Sequence, residues 1–319
     1  ATNAWKASGG SWVVNQPGPS DIAYLRSWGG YERKELNFDM NAVSGIDASG
    51  YWHLRGDTMI VQGNINLLPL DSGVSDNMLF INESSMYASG MWGTDGAEFY
   101  NDGELYVYGN IDVSILTLNE NSILEAEQMK VRDAYRDTKS SSVSLNGYAL
   151  FSHDTVIYSP HFKSAGLIVE NGGRLILDND VAVDATTGDI SAGSLNLGER
   201  STLKGANLFV TSYNDHSSSV ADLSQGAYFM EDTTINSSSF KARFILVKDS
   251  PDGYRNLTLA PGANVESSSD IAIGGLTLGE GSRIKSVSIY IRDGHYQDHS
   301  TSTIDIEGSF MFGDEATIH

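Results

Sequence analysis

A nine-residue pattern recurs along the sequence and constrains the fold more than any other feature. Its clearest copy is residues 195–203, where two apolar residues at alternate positions precede three turn-forming residues, a small residue and, after one further residue, a third apolar residue. Four more clear copies begin at Leu116, Leu167, Leu257 and Leu276. Looser copies begin at Leu79, Ala97, Val143, Ala221 and Phe310, and a degenerate copy begins at Trp52.

Each copy predicts two short strands joined by a tight corner. Alternation over three residues gives a strand whose first and third side chains share one face. The three middle residues are turn formers, and the Gly, Ser or Ala after them suits a corner where a larger side chain would crowd the backbone. Another apolar triplet follows, such as Leu208 to Val210 after the copy at Leu195. The unit therefore contains three short strands and two corners.

These units predict an all-β parallel β-helix, because none contains a helical period long enough to cross over a sheet. From residue 79 to residue 310 the copies start about 26 residues apart on average, which leaves room for roughly twelve rungs in 319 residues. The inward side chains should form apolar ladders. We expect one such ladder to contain Leu118, Val169, Leu197, Leu259 and Leu278.

The pattern also predicts how the chain is divided. Residues 1–50 lack it, and all five tryptophans lie before residue 93. The end of a β-helix exposes unpaired backbone that must be covered, so we expect residues 1–50 to form an N-terminal cap and irregular first rungs. Residues 51–319 should form the parallel β-helix. The copy at Phe310 stops after its second strand, and we expect the rungs to continue beyond the end of this chain.

Composition excludes several classes of function. With 41 acidic and 20 basic residues the net charge is −21, which disfavours nucleic acid and anionic membranes as main partners. There is no cysteine, so disulfides, thiol catalysis and thiolate metal sites are excluded. The seven histidines lack the spacing of a zinc site, and no phosphate loop or nucleophile elbow is present. We therefore expect no metal, no cofactor and no catalytic residues.

Four segments that separate a third strand from the next copy are predicted to be inserts on one side of the β-helix. They are residues 132–142, 211–219, 248–256 and 292–303, and each contains Tyr, one further residue, then Asp or Asn. In one interpretation Tyr lies back on the β-helix while Asp or Asn forms the turn. In the other, the segments line a groove of aromatic and polar groups that holds sugars or peptide backbone. The candidate ligand-binding residues are Tyr135, Arg136, Asp137, Tyr213, Asp215, Tyr254, Arg255, Asn256, Arg292, Tyr296 and Asp298.

Residues 195–201, 257–263 and 276–282 resemble the passenger domains of bacterial autotransporters, specifically the self-associating and matrix-binding adhesins. The likeness covers about residues 50–319. It implies a right-handed parallel β-helix displayed at the surface of a Gram-negative bacterium and exported through the outer membrane by a C-terminal β-barrel translocator in the full-length protein. Serine-protease members carry Gly-Asp-Ser-Gly-Ser. Residues 70–74 here lack the leading Gly and the final Ser, so we interpret them as an ordinary turn.

Three functions remain open. The first is a non-catalytic adhesin that binds host extracellular matrix protein or glycosaminoglycan-type glycans. The second is a self-associating protein that pairs with a copy on a neighbouring cell and drives aggregation and biofilm formation. The third is a polysaccharide lyase or hydrolase, for which the acidic pairs are Asp133 with Asp137, Asp249 with Asp252, and Asp293 with Asp298. Arg55-Gly56-Asp57 looks like an integrin-binding signature, but these residue types are also common turn formers.

Overall fold

The computed structural model describes residues 79–83, 85–248, 253–292, 294–313 and 317–318, together with strands between residues 22 and 67. Every regular element in these residues is a β-strand. They fall into two compact units, which are described separately. The N-terminal unit comprises residues 1–153 and 159–161, and the C-terminal unit comprises residues 154–158 and 162–319.

The N-terminal unit is built from parallel ladders. Its strands are β1 (Ile22–Arg26), β2 (Lys34–Phe38), β3 (Asn41–Val43), β4 (Gly45–Ser49), β5 (Tyr51–Gly56), β6 (Thr58–Leu67), β7 (Leu79–Asn82), β8 (Ser85–Gly93), β9 (Glu98–Asn101), β10 (Glu104–Leu118), β11 (Ile123–Arg136), β12 (Ser142–Leu145) and β13 (Tyr148–Phe151). One ladder runs through β2, β5, β7, β9, β10 and β11. It places Phe80 opposite Phe99, Phe99 opposite Leu116, and Leu116 opposite Tyr135.

The C-terminal unit continues the same construction. Its strands are β14 (Thr155–Ile157), β15 (His161–Lys163), β16 (Gly166–Val169), β17 (Arg174–Leu177), β18 (Ala182–Ala185), β19 (Ile190–Leu197), β20 (Thr202–Gly205), β21 (Leu208–Asp215), β22 (Val220–Leu223), β23 (Gly226–Phe229), β24 (Thr233–Ile235), β25 (Ser239–Ala242), β26 (Phe244–Val247), β27 (Leu257–Leu259), β28 (Asn264–Ser267), β29 (Asp270–Ile273), β30 (Leu276–Leu278), β31 (Arg283–Ser286), β32 (Ser288–Ile291), β33 (His295–Gln297), β34 (Thr303–Ile306), β35 (Phe310–Phe312) and β36 (Thr317–Ile318). Its ladders are parallel, and β24, β27, β30, β33 and β36 form a separate five-stranded sheet.

The predicted fold class is confirmed. In each unit, parallel strands stack as a β-solenoid, consistent with a right-handed parallel β-helix. Leu, Ile, Val and Phe side chains fill the interior of each unit, and Phe80, Phe99, Phe151, Phe162, Phe229 and Phe240 are among the largest fully buried side chains. Burial of these apolar side chains in stacked columns is the main term that stabilises such a fold.

The corner explains why the motif requires a small residue. The carbonyl oxygen of Gly198 accepts hydrogen bonds from the backbone N–H of Ser201 at 3.2 Å and from its hydroxyl at 2.8 Å. Arg200, between them, adopts a left-handed backbone with φ of 55°. Ser201 is fully buried, so a longer side chain would crowd the corner. The same hydrogen bonds join Ser122 to Asn119 and Ser282 to Gly279.

The register corrects the predicted repeat length. Val143 pairs with Leu124 and Ala221 pairs with Leu203, so neither residue begins a first strand. The first-strand positions belong to Tyr135, which pairs with Leu116 nineteen residues earlier, and to Tyr213, which pairs with Leu195 eighteen residues earlier. A regular turn is therefore shorter than the predicted 26 residues. The Tyr-containing parts of segments 132–142 and 211–219 lie within β11 and β21, and the prediction that these segments are inserts is wrong.

The predicted ladder of five residues is also partly wrong. All five side chains are buried, and Leu259 pairs with Leu278 as expected. However, the strand that contains Val169 pairs through Leu167 with Ile190, whereas Leu197 pairs with Leu177. Val169 and Leu197 therefore belong to different ladders. The reason is that the same turn-forming sequence occurs at more than one corner of a turn.

Candidate functional site

The first predicted Tyr–Asp pair is a buried structural contact. The hydroxyl of Tyr135 donates to Oδ2 of Asp137 at 3.1 Å, and the same oxygen accepts the backbone N–H of Ser159 at 3.0 Å. The ring of Tyr135 packs on Phe151 with centroids 5.0 Å apart. Burial, and secondarily the charge of Asp137, raise the pKa of Tyr135 well above 10.0, so this tyrosine remains a neutral donor.

The second pair repeats this arrangement in the C-terminal unit. Tyr213 donates to Oδ2 of Asp215 at 3.1 Å. The carboxylate also accepts the backbone N–H groups of Asn236 at 2.7 Å and of Ser237 at 2.9 Å. Burial, then the charge of Asp215, raise the pKa of Tyr213 well above 10.0. In both units the carboxylate therefore satisfies backbone donors at the corner that follows in the next turn.

These contacts correct the expectation that four tyrosines present their rings to solvent. Tyr135 and Tyr213 are each only 7% exposed, and Asp137 and Asp215 are buried beside them. Tyr is amphipathic, so its ring joins the apolar interior while its hydroxyl binds the carboxylate. The residue between each pair, Arg136 in the first, is exposed. For these two pairs the structure agrees with the interpretation in which Tyr lies back on the β-helix.

Tyr254 is the centre of a small basic cluster, defined here as Lys248, Tyr254 and Arg292. The ammonium of Lys248 lies 4.8 Å from the ring centroid of Tyr254, and the guanidinium of Arg292 lies 5.3 Å from it. Tyr254 is half-buried, and the neighbouring Arg255 and Asn256 are exposed. Two cations at one ring give this surface a local positive charge on a strongly acidic chain. The structure thus brings Tyr254 and Arg292 together.

Tyr296 and Asp298 form a third, more open pair. The hydroxyl of Tyr296 donates to Oδ2 of Asp298 at 3.0 Å, and Asp298 is exposed. Burial, then the hydrogen bond and the charge of Asp298, raise the pKa of Tyr296 to about 12. Tyr296 pairs with Leu276 in β30, so it also occupies a first-strand position. Its ring contacts that of Phe310 edge-on, with the two centroids 5.4 Å apart.

Only one predicted acidic pair, Asp133 with Asp137, lies wholly within the described residues. Asp133 accepts the hydroxyl of Ser114, whereas Asp137 is buried against Tyr135. Asp249, Asp252 and Asp293 lie outside the described residues, as does Asp57 of the Arg-Gly-Asp tripeptide. No group of three or more His, Asp or Glu residues in the described chain could hold a metal ion. None of the described residues forms a helix long and apolar enough to cross a membrane.

An open cavity of about 300 Å³ lies on the outer face of the N-terminal unit. We call it the tyrosine cleft. It is lined by Tyr87, Tyr106 and Tyr108, by Glu125 and Glu127, and by Ser144 and Asn146. Tyr108 is 77% exposed. The cleft therefore combines aromatic surface with carboxylate, hydroxyl and amide groups.

The geometry of the cleft follows from strand register. Tyr87, Tyr106, Glu125 and Ser144 occupy one outward column in four successive strands. The rings of Tyr87 and Tyr106 are stacked, with centroids 4.8 Å apart and planes inclined by 13°. The hydroxyl of Tyr106 donates to Glu104 at 3.3 Å, which fixes the ring, and burial and Glu104 raise its pKa. The cleft thus contains a rigid, neutral aromatic platform.

Sequence reasoning missed this cleft although a signal was present. Tyr87, Tyr106, Glu125 and Ser144 are each nineteen residues apart, and so are Tyr108, Glu127 and Asn146. In a parallel β-helix, residues one turn apart are neighbours, so a constant spacing marks an outward column. The predicted average of 26 residues concealed this alignment.

Comparison with known proteins does not assign this chain to a family. The resemblance to autotransporter passenger domains therefore stays a prediction from the sequence. No family model, no curated protein and no solved structure matches the chain.

Proposed function

We propose that this chain is a non-catalytic, surface-displayed adhesin that binds an extended glycan in the tyrosine cleft. The observation that carries the proposal is the platform of Tyr87 and Tyr106, beside the exposed Tyr108, in an open cavity with polar groups. Aromatic faces stack on the apolar faces of sugar rings, while carboxylate, amide and hydroxyl groups bind sugar hydroxyls. The combination suits a sugar better than a purely apolar ligand.

The repeated architecture suits a linear ligand. The cleft spans four turns, from Tyr87 to Ser144, and so offers several contacts to one chain. Weak contacts to several sugars add along a polymer. Surface display on a bacterium, suggested by the sequence resemblance, would place such a cleft where host or bacterial glycans occur.

The cleft differs from the predicted binding face in its charge. Its lining contains two glutamates and no lysine or arginine. A glycosaminoglycan would therefore be repelled here. For the tyrosine cleft we propose a neutral or cationic glycan, and any anionic glycan would have to bind elsewhere, at the basic cluster around Tyr254.

The proposal is tested with a glycan array and two matched tyrosine variants. Tyr108→Ala removes an exposed ring that lines the cleft, whereas Tyr148→Ala removes a 42% exposed ring outside the cleft lining. We expect Tyr108→Ala to lose most of the glycan signal and Tyr148→Ala to retain it. Equal binding by both variants and the unchanged chain would show that the cleft does not hold the glycan.

Turnover must be measured on the same glycans. Glu125 and Glu127 are two residues apart on one strand, which separates them by about 7 Å, a spacing also found between the carboxylates of glycoside hydrolases. We expect no release of reducing or unsaturated ends. If such ends appear, and Glu125→Gln or Glu127→Gln abolishes them, the chain is an enzyme and the non-catalytic part of the proposal is overturned.

An outward apolar column in the C-terminal unit favours self-association as a second candidate function. Phe209, Tyr228 and Leu246 are consecutive in this column, and Phe209 and Tyr228 stack at 4.5 Å. Apolar residues on an outer sheet face can pair with another copy. Sedimentation at rising protein concentration, with Leu246→Glu beside the unchanged chain, tests this candidate. A monomer at all concentrations would exclude it for this chain in solution.

A further inference from the structure

We propose that the tyrosine cleft selects sugars that carry a protonated amine, namely glucosamine-type residues whose amino group is not acetylated. This inference rests on the proposed glycan binding and names the class of sugar. It follows from the charge of the cleft and from the point at which its aromatic stack ends.

The two carboxylates that line the cleft belong to exposed residues, Glu125 and Glu127. Within the described residues, neither forms an ion pair with Lys or Arg. Glu127 accepts a hydrogen bond from the neutral amide of Asn146 at 3.3 Å. A third carboxylate, Glu104, receives the hydroxyls of Tyr106 and Ser85 at the other side of the stack. The electrostatic potential of the cleft therefore favours a positively charged ligand.

The aromatic stack ends where these carboxylates begin. Tyr106 stacks on Tyr87, but the next residue in the same column is Glu125, so no side-chain ring continues the stack at that turn. A pyranose ring at the level of Glu125, with its apolar face on Tyr106, would extend the stack by one member. This is why we favour a sugar over the narrow alkyl chain of a lysine side chain, which cannot cover a tyrosine face.

An amine on that sugar would be stabilised from two sides. The glutamates attract it directly, and the electron-rich faces of the tyrosines attract cations as well. N-acetylation converts the charged amine into a neutral amide, so both contributions are lost. Exposed ion pairs are individually weak, and for two carboxylates we expect a preference for the amine of about tenfold at low salt. The opposite face of the same sugar would lie towards the hydroxyl of Ser144 and the amide of Asn146, which belong to the next turn.

The test compares four oligomers of equal length by calorimetric titration in mildly acidic, low-salt buffer. The probes are β-1,4-linked glucosamine, its fully N-acetylated counterpart, β-1,4-linked glucose and a lysine peptide. We expect glucosamine to bind about tenfold more tightly than the acetylated oligomer and than glucose, and this advantage to shrink as salt is added.

The variants are Glu125→Gln, Glu127→Gln and their combination, with Glu120→Gln as the matched control. Glu120 is an exposed glutamate at a corner of the same unit and does not line the cleft. The double variant should bind glucosamine and N-acetylglucosamine equally, while Glu120→Gln should keep the preference. Since exposed Glu→Gln changes leave the backbone intact, a loss of folding would be visible separately as a changed thermal transition.

The other outcomes overturn the inference in distinguishable ways. Equal affinity for the acetylated and deacetylated oligomers overturns amine selection but leaves glycan binding in place. Binding of the lysine peptide as tightly as glucosamine shows that charge alone suffices and overturns the assignment to sugars. Failure of every oligomer to bind overturns both this inference and the proposed function of the cleft.

Discussion

The phenol of Tyr213 donates a buried hydrogen bond of 3.1 Å to the carboxylate of Asp215, and this carboxylate also ties one turn of the C-terminal unit to the next. Asp215 receives two backbone N–H groups of the following turn, from Asn236 and Ser237. The N-terminal unit contains the same device in Tyr135, Asp137 and Ser159. An Asp at a first-strand position that is otherwise apolar thus accepts backbone N–H groups of the next corner, which lacks the hydrogen bonds of the regular turn.

This relationship predicts a strong dependence of stability on Asp215. Asp215→Ala leaves the buried N–H of Ser237 and the partly buried N–H of Asn236 without this acceptor, and we expect the free energy of unfolding to fall by about 3 kcal/mol. Asp215→Asn keeps one acceptor oxygen and should lose less. Urea denaturation monitored by circular dichroism measures both. The control is Asp298→Ala, which removes an exposed carboxylate and should cost under about 0.5 kcal/mol. Equal losses for Asp215→Ala and Asp298→Ala would contradict the assignment.

The raised pKa values of Tyr213 and Tyr296 predict a loss of stability in alkali. The pKa of Tyr213 is raised well above 10.0 and that of Tyr296 to about 12, so the folded chain retains protons that the unfolded chain releases. Their contribution to the free energy of unfolding is complete below pH 10.0. It is lost as the pH rises through the pKa values of the folded state, about 12 for Tyr296. Urea midpoints measured at increasing alkaline pH should therefore fall.

The matched variant for this prediction is Tyr213→Phe. It removes the titrating phenol but keeps the ring, at an expected cost of about 1 kcal/mol near neutral pH. Its urea midpoint should fall less steeply in alkali than that of the unchanged chain, and phenolate absorbance should show one fewer late-titrating tyrosine. An identical alkaline slope in both proteins would show that Tyr213 is not the group responsible.

The corner at Gly281 predicts a backbone effect that is separate from packing. Gly281 has φ of 64°, and an added Cβ would meet nothing within 4 Å. Gly281→Ala should therefore cost about 1 kcal/mol through conformation alone. Gly281→Asn should cost less, because Asn121 adopts φ of 60° at the equivalent corner position. Thermal unfolding distinguishes the two variants, and a larger loss with Asn would exclude this explanation.

The sequence predicts the fold class well because the corner chemistry is local. Turn formers, a buried serine and alternating apolar residues are visible in a single copy, such as the one that contains Arg200 and Ser201. The register between successive turns is harder to predict, because Asp215 replaces an apolar residue and is stabilised by backbone groups more than twenty residues later. Only the folded chain shows that Tyr213 lies opposite Leu195.

The candidate site was harder to predict than the fold. The sequence Tyr, any residue, Asp or Asn suggested exposed binding loops, but buried Tyr135 and half-buried Tyr254 share nearly the same local sequence. Whether such a ring faces inward depends on the strand beside it. The tyrosine cleft requires the correct turn length, since only a spacing of nineteen residues brings Tyr106 next to Glu125.

The basic cluster around Tyr254 provides the test of anionic glycan binding. Lys248 and Arg292 flank one ring, and they carry local positive charge on a chain of net charge −21. If a sulfated glycan binds this chain, Arg292→Ala should lower the salt concentration at which the protein elutes from a heparin-type matrix, because one fewer counterion is displaced. Tyr254→Ala should weaken retention less, since the ring orients the two cations but carries no charge.

The control is Arg283→Ala, which removes an exposed arginine that is already paired with Asp305 at 3.5 Å and should leave elution unchanged. Thermal unfolding of all three variants should stay close to that of the unchanged chain, so a change in retention reports binding and not folding. If the unchanged chain passes through the matrix at low salt, the overall acidic charge outweighs the cluster, and anionic glycans are excluded as ligands of this surface.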